Sequence, residues 1–263
     1  MGKRSAARRL KNARFDTSAY FDDASNGLGE NVFALEGGWH PDDKDQVRRQ
    51  PPKREQRYVK TVKPRSENQE KLMKALEAQP LVVALGPAGT GKTYLAICAA
   101  VEALQSGRVA RIVLARPAVD AGEQIGFLPG GMEDKLAPFL RPLYDALSDR
   151  LSPKQLKEMI AEGLIEIAPI GFMRGRTLNN AYVVIDEAQN CTYGQLKMLL
   201  TRLGWHSTMV ITGDPAQSDL LPDMSGLASI SQKIEDMDNV AVVRLLGEDV
   251  VRHPLVADML GVL

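Results

Sequence analysis

Cysteine and aromatic residues are scarce in this 263-residue chain, which has two cysteines, Cys98 and Cys191, and 5% aromatic residues. Two cysteines are too few for a disulfide scaffold or a cysteine-bound zinc site. We therefore expect both, each within a predicted helical pattern, to be small buried apolar side chains. No apolar run approaches the ~20 residues of a membrane span, and no apolar stretch follows the basic N-terminus as in a secretory signal. The sequence thus predicts a soluble cytoplasmic protein without a membrane partner.

Net charge is zero overall, but the two parts of the chain differ in sign. Residues 1–65 carry 15 Lys and Arg against 9 Asp and Glu, whereas residues 66–263 carry 18 against 24. The first part is polar and interrupted by prolines, so it cannot bury enough apolar surface to offset its chain entropy. We predict a mostly disordered basic arm over residues 1–65 and one folded domain over residues 66–263. The arm could contact nucleic acid or phosphate, or be a solubilising tail that binds nothing specific.

Short apolar runs alternate with helical patterns from about residue 66 onward. The runs predict strands at LVVAL, RIVLA, IEIA, YVVID, TMVIT and VAVVRL. Helical patterns lie between them at about 67–78, 94–105, 153–162, 193–202 and 227–234. Continuous apolar strands separated by helices are typical of a parallel sheet with both faces covered. The predicted fold class is therefore α/β.

The first of these strands runs directly into GPAGTGKT, which matches the phosphate-binding pattern G-x-x-x-x-G-K-[ST] without deviation. Glycines let such a loop curl so that backbone N–H groups converge on phosphate, and the next helix adds its N-terminal N–H groups and dipole. We expect the lysine to reach the β- and γ-phosphates and the last threonine to bind Mg²⁺. The predicted nucleotide-binding residues are Gly86, Pro87, Ala88, Gly89, Thr90, Gly91, Lys92 and Thr93.

Two acidic residues, Asp186 and Glu187, end another buried strand. A phosphate loop of this kind needs a second acidic site, which predicts a Mg²⁺ role for Asp186 through bound waters. Glu187 could then face the γ-phosphate and orient and deprotonate water, which is the chemistry of hydrolysis. Asp-Glu pairs are also common on surfaces, so the prediction depends on the strand and the phosphate loop together.

The turn after TMVIT contains Gln217, in the stretch GDPAQ. If this strand lies between the phosphate-loop strand and the Asp186 strand, Gln217 can hydrogen-bond the γ-phosphate or the attacking water. A neutral amide suits such a sensor because it donates and accepts without changing charge. The alternative is an ordinary turn built from Gly, Asp and Pro.

Together these stretches resemble the phosphate-starvation-inducible PhoH family of P-loop ATPases. The matching stretches include GPAGTGKT, RGRTLNNAYVVIDEAQN, TGDPAQSDL and DVVRHPLV, and they cover nearly everything from about residue 63. The family is similar to the first motor domain of superfamily 1 helicases, so the resemblance implies a RecA-like fold that uses ATP and Mg²⁺. It also implies an adenine-reading role for Gln69, the catalytic position for Glu187, the motif III sensor for Gln217 and a γ-phosphate contact for Arg252.

A helicase of that superfamily closes a cleft between two RecA-like domains, and the chain ends shortly after Arg252. We expect closure to use a neighbouring subunit in a ring, with a hexamer as the hypothesis and an arginine supplied in trans. Arg174 and Arg176, in MRGRT, are the candidates. The alternative is a fixed structural pair that bonds backbone carbonyls or carboxylates. Longer relatives carry an N-terminal nuclease or RNA-binding domain in place of the short arm, so a built-in ribonuclease is not expected.

Single-stranded RNA or DNA is the expected macromolecular substrate, on which the protein would translocate or unwind. Arg116 follows a core strand where helicases place a strand-binding loop, although it could instead organise the phosphate site. An ATP-gated switch or adaptor for a nuclease or other protein partner is the main alternative. A small-molecule kinase would need an acceptor pocket, and a nuclease would need further metal-binding acids.

Overall fold

Six parallel strands form one sheet at the centre of the described chain. The computed structural model describes residues 61–117, 132–221 and 224–251, with side chains from residue 140 onward in the second range; these residues lie in one unit, Val59–Leu263. The strands are β1 (Leu81–Leu85), β2 (Arg111–Arg116), β3 (Ile165–Pro169), β4 (Ala181–Ile185), β5 (Thr208–Gly213) and β6 (Val240–Arg244). Their order across the sheet is β3-β2-β4-β5-β1-β6, so the α/β prediction is confirmed.

Helices connect these strands and cover the sheet. They are α1 (Glu67–Ala78), α2 (Lys92–Gln105), α3 (Met132–Ser148), α4 (Pro153–Ala161), α5 (Tyr193–Leu200) and α6 (Leu227–Ile234). Short 3₁₀ helices occupy Ile170–Met173, Ala188–Asn190 and Gly247–Asp249. All residues of β1 and β4 are buried, as expected for parallel strands covered on both faces. No helix in the described part of the chain is both long and apolar enough to cross a membrane.

Local signals in the sequence account for several helix ends. Ser66 caps α1 by accepting a hydrogen bond from the N–H of Gln69, and the helix stops before Pro80, a residue that disfavours helix immediately ahead of it. Ser152 and Gln155 form a reciprocal capping box at the start of α4. The predicted strands and these helices therefore match the observed elements to within a few residues.

The longest helix among the described residues, α3, is missing from the sequence prediction. Pro138 and Pro142 interrupt its pattern, and a proline within a helix removes a backbone donor and costs about 3 kcal/mol. The helix nevertheless forms and buries Leu140, Leu143 and Leu147 against its neighbours. Tertiary packing thus outweighs the local penalty.

The two cysteines are both buried, but only one is helical. Cys98 lies within α2, whereas Cys191 has an extended backbone between the second 3₁₀ helix and α5. The prediction of a helical Cys191 is therefore wrong, because the capping residue Thr192 starts α5 only after it. Burial raises the thiol pKa to about 11 for Cys98 and about 12 for Cys191, so both stay protonated at neutral pH.

The strand register places the segments that follow β1, β4 and β5 at one edge of the sheet. Leu85 of β1 pairs with Gly213 of β5, while Ile185 of β4 pairs with Ile211 of β5. Because all strands are parallel, the residues that follow β1, β4 and β5 meet at the carboxyl edge. β5 lies between the phosphate-loop strand β1 and β4, which is the condition that the sensor hypothesis for Gln217 requires.

Candidate nucleotide site

The phosphate loop, residues 86–93, joins β1 to α2 at this edge. Gly86 has a φ of +141°, and a Cβ placed there would lie 2.3 Å from the backbone oxygen of Leu245. Gly91 is left-handed, with a φ of +85°, and caps the start of α2. Only glycine fits a conformation of this kind beside a close backbone without strain, so the sequence pattern and the local geometry agree.

Lys92 folds back over the loop that precedes it. Its Nζ donates hydrogen bonds to the backbone oxygens of Gly86 at 2.6 Å and Pro87 at 2.8 Å. Burial lowers the pKa of the Lys92 ammonium, while three carboxylates act in the opposite direction, those of Asp214, Glu187 and Asp186. The Lys92 ammonium therefore lies in an enclosed site that also contains three carboxylates.

Other segments of the chain bond the remaining loop carbonyls. The backbone oxygen of Gly89 accepts from the N–H of Val251 at 2.9 Å, and that of Thr90 accepts from Nε2 of Gln69 at 3.0 Å. Within the described residues no backbone oxygen accepts from the N–H groups of Ala88, Gly89 and Gly91. These donors, with the N-terminus of α2 behind them, fit an anionic phosphate chain.

Asp186 lies directly after β4 and is buried between two hydroxyls. Its Oδ1 accepts hydrogen bonds from Oγ1 of Thr93 at 2.6 Å and from Oγ1 of Thr212 at 2.7 Å. Hydroxyl and carboxylate oxygens are ligands that suit Mg²⁺, which retains waters and phosphate oxygens in its shell. Within the described residues no group of three or more His, Cys, Asp or Glu could hold a metal unaided. Thr93 and Asp186 are thus the residues that could contribute oxygen ligands to a Mg²⁺ ion.

Glu187 adopts a left-handed backbone, with φ 52° and ψ 42°, which is uncommon for a residue other than glycine. One carboxylate oxygen lies 3.3 Å from Nη2 of Arg116. The other accepts a hydrogen bond from Nε2 of Gln189. Both oxygens of this carboxylate are thus engaged by neighbouring side chains.

Gln189 is a site residue that the sequence reasoning missed. Its amide donates to Glu187 and accepts from the backbone N–H of Asp214 at 3.1 Å, so it connects the end of β4 to the end of β5. The side chain is 4% exposed. The sequence shows only a polar residue two positions after Glu187, and this does not predict that the Gln189 side chain is buried.

Gln217 lies in a turn that Asp214 organises. The Asp214 side chain accepts from the N–H of Ala216, and its backbone oxygen accepts from the N–H of Gln217, both at 3.0 Å. The position of β5 between β1 and β4, on which the sensor hypothesis depends, is present. Gln217 lines the same cleft as Lys92 and Glu187.

A second connection fixes the chain just beyond this turn. The Asn190 side chain donates to Asp219 at 2.7 Å and accepts from the Asp219 N–H at 2.8 Å, while Ser218 donates to the backbone oxygen of Gln189. The sequence gives no signal for this pairing, which joins residues 29 positions apart. The turn is thus bound to the 3₁₀ helix that follows Glu187.

These residues enclose a cleft of about 270 Å³ at the carboxyl edge. It is lined by Ala88, Gly89, Gly91, Lys92, Thr93, Tyr94, Asp186, Glu187, Gln189, Gly213, Asp214 and Gln217. The structure therefore brings together the predicted phosphate loop, the two acids and Gln217.

Gln69 and the predicted arginines lie in different settings around this cleft. The Gln69 amide bonds the phosphate loop and is buried. Arg176 forms a two-pronged ion pair with Glu166, at 2.5 and 2.7 Å. This contact agrees with the alternative in which the arginine bonds a carboxylate of its own chain. Arg174 is exposed and pairs with no carboxylate of the described residues. Arg252 lies outside the described residues.

Known proteins are similar in sequence to this chain over most of its length. A family model described as PhoH-like protein matches residues 61–263. A PhoH-like protein of Mycobacterium tuberculosis (strain ATCC 25618 / H37Rv) is 50% identical over 204 residues, covering 77% of this chain and 58% of the relative. For the Bacillus subtilis (strain 168) PhoH-like protein the identity is 50% over 202 residues, covering 76% and 63%. Protein PhoH of Escherichia coli (strain K12) is 42% identical over 205 residues, covering 77% and 58%.

The chain spans about three fifths of the length of these relatives. Among solved structures, a large terminase from a thermophilic bacteriophage matches with a TM-score of 0.49 and 11% identity, covering 75% of this chain and 50% of the terminase. The Pif1 helicase from Candida albicans matches with a TM-score of 0.39 and 14% identity, covering 76% and 44%.

Proposed function

The chain belongs to the PhoH family, and from this membership we propose that it is a Mg²⁺-dependent ATPase. The proposal rests on one observation: Lys92, Asp186 and Glu187 line the same cleft. Lys92 belongs to the phosphate loop, and the two acids follow the end of β4. Phosphate binding, metal binding and water activation need these three side-chain types close together.

The phosphate loop would hold the triphosphate through its backbone N–H groups. In the described structure Lys92 bonds loop carbonyls, and we expect its ammonium to turn toward the β- and γ-phosphate oxygens when nucleotide binds. A cation at this position stabilises negative charge that grows in the transition state.

Glu187 would orient the attacking water and accept its proton, since its carboxylate lines the cleft beside Lys92. Gln217 would hydrogen-bond the water or the γ-phosphate. The Gln189 amide links Glu187 to Asp214 at the start of the turn. It would thereby keep Glu187 and Gln217 at a fixed separation.

Thr93 and Asp186 would hold Mg²⁺, Thr93 through its hydroxyl and Asp186 through its carboxylate. The ion supplies charge neutralisation of the phosphates when bound. Within this chain, Thr212 keeps the Asp186 carboxylate in place by donating to Oδ1.

We further propose that hydrolysis drives translocation on, or unwinding of, single-stranded RNA or DNA in a ring, with a hexamer as the working model. Arg174 is favoured over Arg176 as the arginine acting on a neighbour, because Arg176 is already bound to Glu166. An arginine supplied in trans raises rates by ~10³–10⁵, so separated subunits would hydrolyse ATP slowly.

A nucleotide-gated switch for a protein partner is the second candidate function. The observation that favours it is the engagement of both Glu187 oxygens, by Arg116 and by Gln189. A general base held in this way supports slow turnover until a partner displaces one of these contacts.

The deciding experiment measures phosphate release from MgATP with and without single-stranded RNA and DNA, on fractions sized by light scattering. Glu187→Gln should retain ATP binding and lose turnover by ~10²–10⁴. Glu162→Gln is a matched control, because it makes the same change at an exposed position after α4, and it should behave as wild type.

Stimulation by nucleic acid that disappears in Glu187→Gln would support the motor. Slow turnover that nucleic acid does not change, but a protein partner raises, would support the switch. Turnover that persists in Glu187→Gln, or that survives removal of Mg²⁺ by EDTA, would refute the proposed mechanism.

A further inference from the structure

The side chain of Gln69 is enclosed where α1 meets the phosphate loop. Its Nε2 donates to the backbone oxygen of Thr90 at 3.0 Å, and its Oε1 accepts from the backbone N–H of Arg65 at 2.9 Å. The side chain is 4% exposed. Each end of the amide therefore already has a partner in the protein.

The bond to Thr90 fixes the conformation of the loop. Thr90 is fully buried, and its hydroxyl donates to the backbone oxygen of Pro87 at 2.9 Å. Gly91 packs against the same amide, since a Cβ there would lie 3.5 Å from Nε2 of Gln69. The amide thus holds the Thr90 carbonyl in one position within the loop.

A side chain that reads adenine must present a donor and an acceptor to the base. Gln69 uses one donor for the loop and one acceptor for the segment before α1. Its remaining donor and lone pair are enclosed with the rest of the side chain. This arrangement suits support of the loop better than the adenine contact expected from family resemblance.

Building on the proposed ATPase function, we propose that Gln69 is a positioning residue for the triphosphate that acts through Thr90 and takes no part in selecting the base. Its contribution to affinity is the same for any ligand that carries the three phosphates. The base can be adenine, guanine or absent without changing that contribution.

Inorganic tripolyphosphate separates the two roles because it has phosphates and no base. Binding of MgATP, MgGTP and magnesium tripolyphosphate would be measured by calorimetry on wild type, Gln69→Glu and Gln69→Ala. Loss of the donor leaves the buried Thr90 carbonyl unpaired, so we expect affinity for all three to fall by one common factor, roughly tenfold. The ratio of ATP to GTP affinity should stay at the wild-type value.

Gln155→Glu is the matched control, because Gln155 occupies a capping-box position where Glu works equally well. It should leave all three affinities unchanged. Thermal unfolding of each variant shows whether it folds, and Gln69→Ala carries the comparison if the charged variant does not.

The inference is overturned if the variants lose affinity for ATP while tripolyphosphate binds as tightly as to wild type. A collapse of the ATP to GTP ratio would overturn it equally. Wild-type protein that binds none of the three probes would instead refute the proposed nucleotide function, so the two failures are distinct.

Discussion

Arg116 reaches from the end of β2 to the end of β4, where its Nη2 lies 3.3 Å from Oε1 of Glu187. Its Nη1 lies 3.9 Å from Oδ2 of Asp186. One guanidinium therefore contacts two of the three acids that line the cleft, Asp186 and Glu187. Arg116 is also the residue that the sequence assigns either to a nucleic-acid loop or to the phosphate site, and this geometry supports the second role in the described state.

Replacement of Arg116 by Ala should release one oxygen of Glu187. Pairs with this degree of solvent exposure contribute up to about 1 kcal/mol, so we expect ATP turnover without nucleic acid to rise roughly two- to fivefold. Any stimulation by nucleic acid should shrink. Steady-state phosphate release measures both quantities.

Arg111→Ala is the control for Arg116→Ala, since Arg111 begins the same strand at its other end. It should change neither quantity. A fall in turnover without nucleic acid, specific to Arg116→Ala, would show that Arg116 supports the chemistry and does not restrain Glu187.

Substitution of Gly86 by Ala should destabilise the protein. The new Cβ would lie 2.3 Å from the Leu245 carbonyl oxygen, on a backbone with φ +141°. We expect the free energy of unfolding to fall by about 1–3 kcal/mol, measured by urea denaturation. Gly171→Ala, where a Cβ has open space, should stay within about 0.5 kcal/mol of wild type; equal stability of the two variants would contradict the close approach at Gly86.

Mixed assemblies test the proposed role of Arg174 in trans. Arg174→Ala should have an intact ATP site but lack the arginine, whereas Glu187→Gln should lack turnover but keep the arginine. If a subunit acts on its neighbour, a mixture of the two inactive variants should regain part of the activity. Phosphate release across mixing ratios measures this, and the absence of any recovery would exclude the proposed role.

Arg176→Gln serves as a structural comparison for Arg174. Hydrogen bonds donated to Glu166 raise the pKa of the Arg176 guanidinium, which remains charged at any working pH. Loss of this partly exposed two-pronged pair should lower the free energy of unfolding by about 1 kcal/mol, whereas Arg174→Ala should not affect it. Thermal unfolding in low and high salt would show whether Arg176 supports the fold.

Asp249 should make stability depend on acid pH. Burial alone would raise the pKa of this carboxyl, but hydrogen bonds from the Leu246 N–H and from the Ser66 and Asn68 side chains outweigh it and lower the pKa below 3.8. A depressed folded pKa stabilises the fold above the unfolded pKa and loses that stabilisation as pH falls through the folded value. We therefore expect the contribution to be complete at neutral pH and lost below about pH 4.

Asp249→Asn is the variant that tests this dependence. Its unfolding free energy should be lower than that of wild type at pH 7 and closer to it at pH 3, since the amide cannot ionise. Urea denaturation at the two pH values measures the difference. A constant gap between the proteins would mean that Asp249 does not titrate as expected.

Much of the fold could be predicted because its signals are local. Apolar runs marked the strands, and the glycine-rich pattern marked the phosphate loop. The engagement of Gln69 and Gln189 could not be predicted, because each depends on a contact with a segment more than 20 residues away, at Thr90 and Asp214. Helix α3 was missed for a related reason, since its stability comes from packing and not from local preference.

Contacts between distant segments also determine the surroundings of Glu187. The sequence predicts that Lys92, Asp186, Glu187 and Gln217 belong to one site, and the structure places these four side chains around one cleft. The sequence does not predict that Arg116 and Gln189 contact the two carboxylate oxygens of Glu187. Those contacts depend on the order of β2, β4 and β5 in the sheet.

The segment after β6 returns to the phosphate loop, where the N–H of Val251 bonds the Gly89 carbonyl and Leu245 lies against Gly86. A mechanical load applied to the chain beyond this point would act on the Val251 hydrogen bond to the nucleotide loop before it reached β6. We therefore expect tension at that end to act on the loop that would hold the nucleotide phosphates. A pull strong enough to break the Val251 bond would leave the Gly89 carbonyl without this partner.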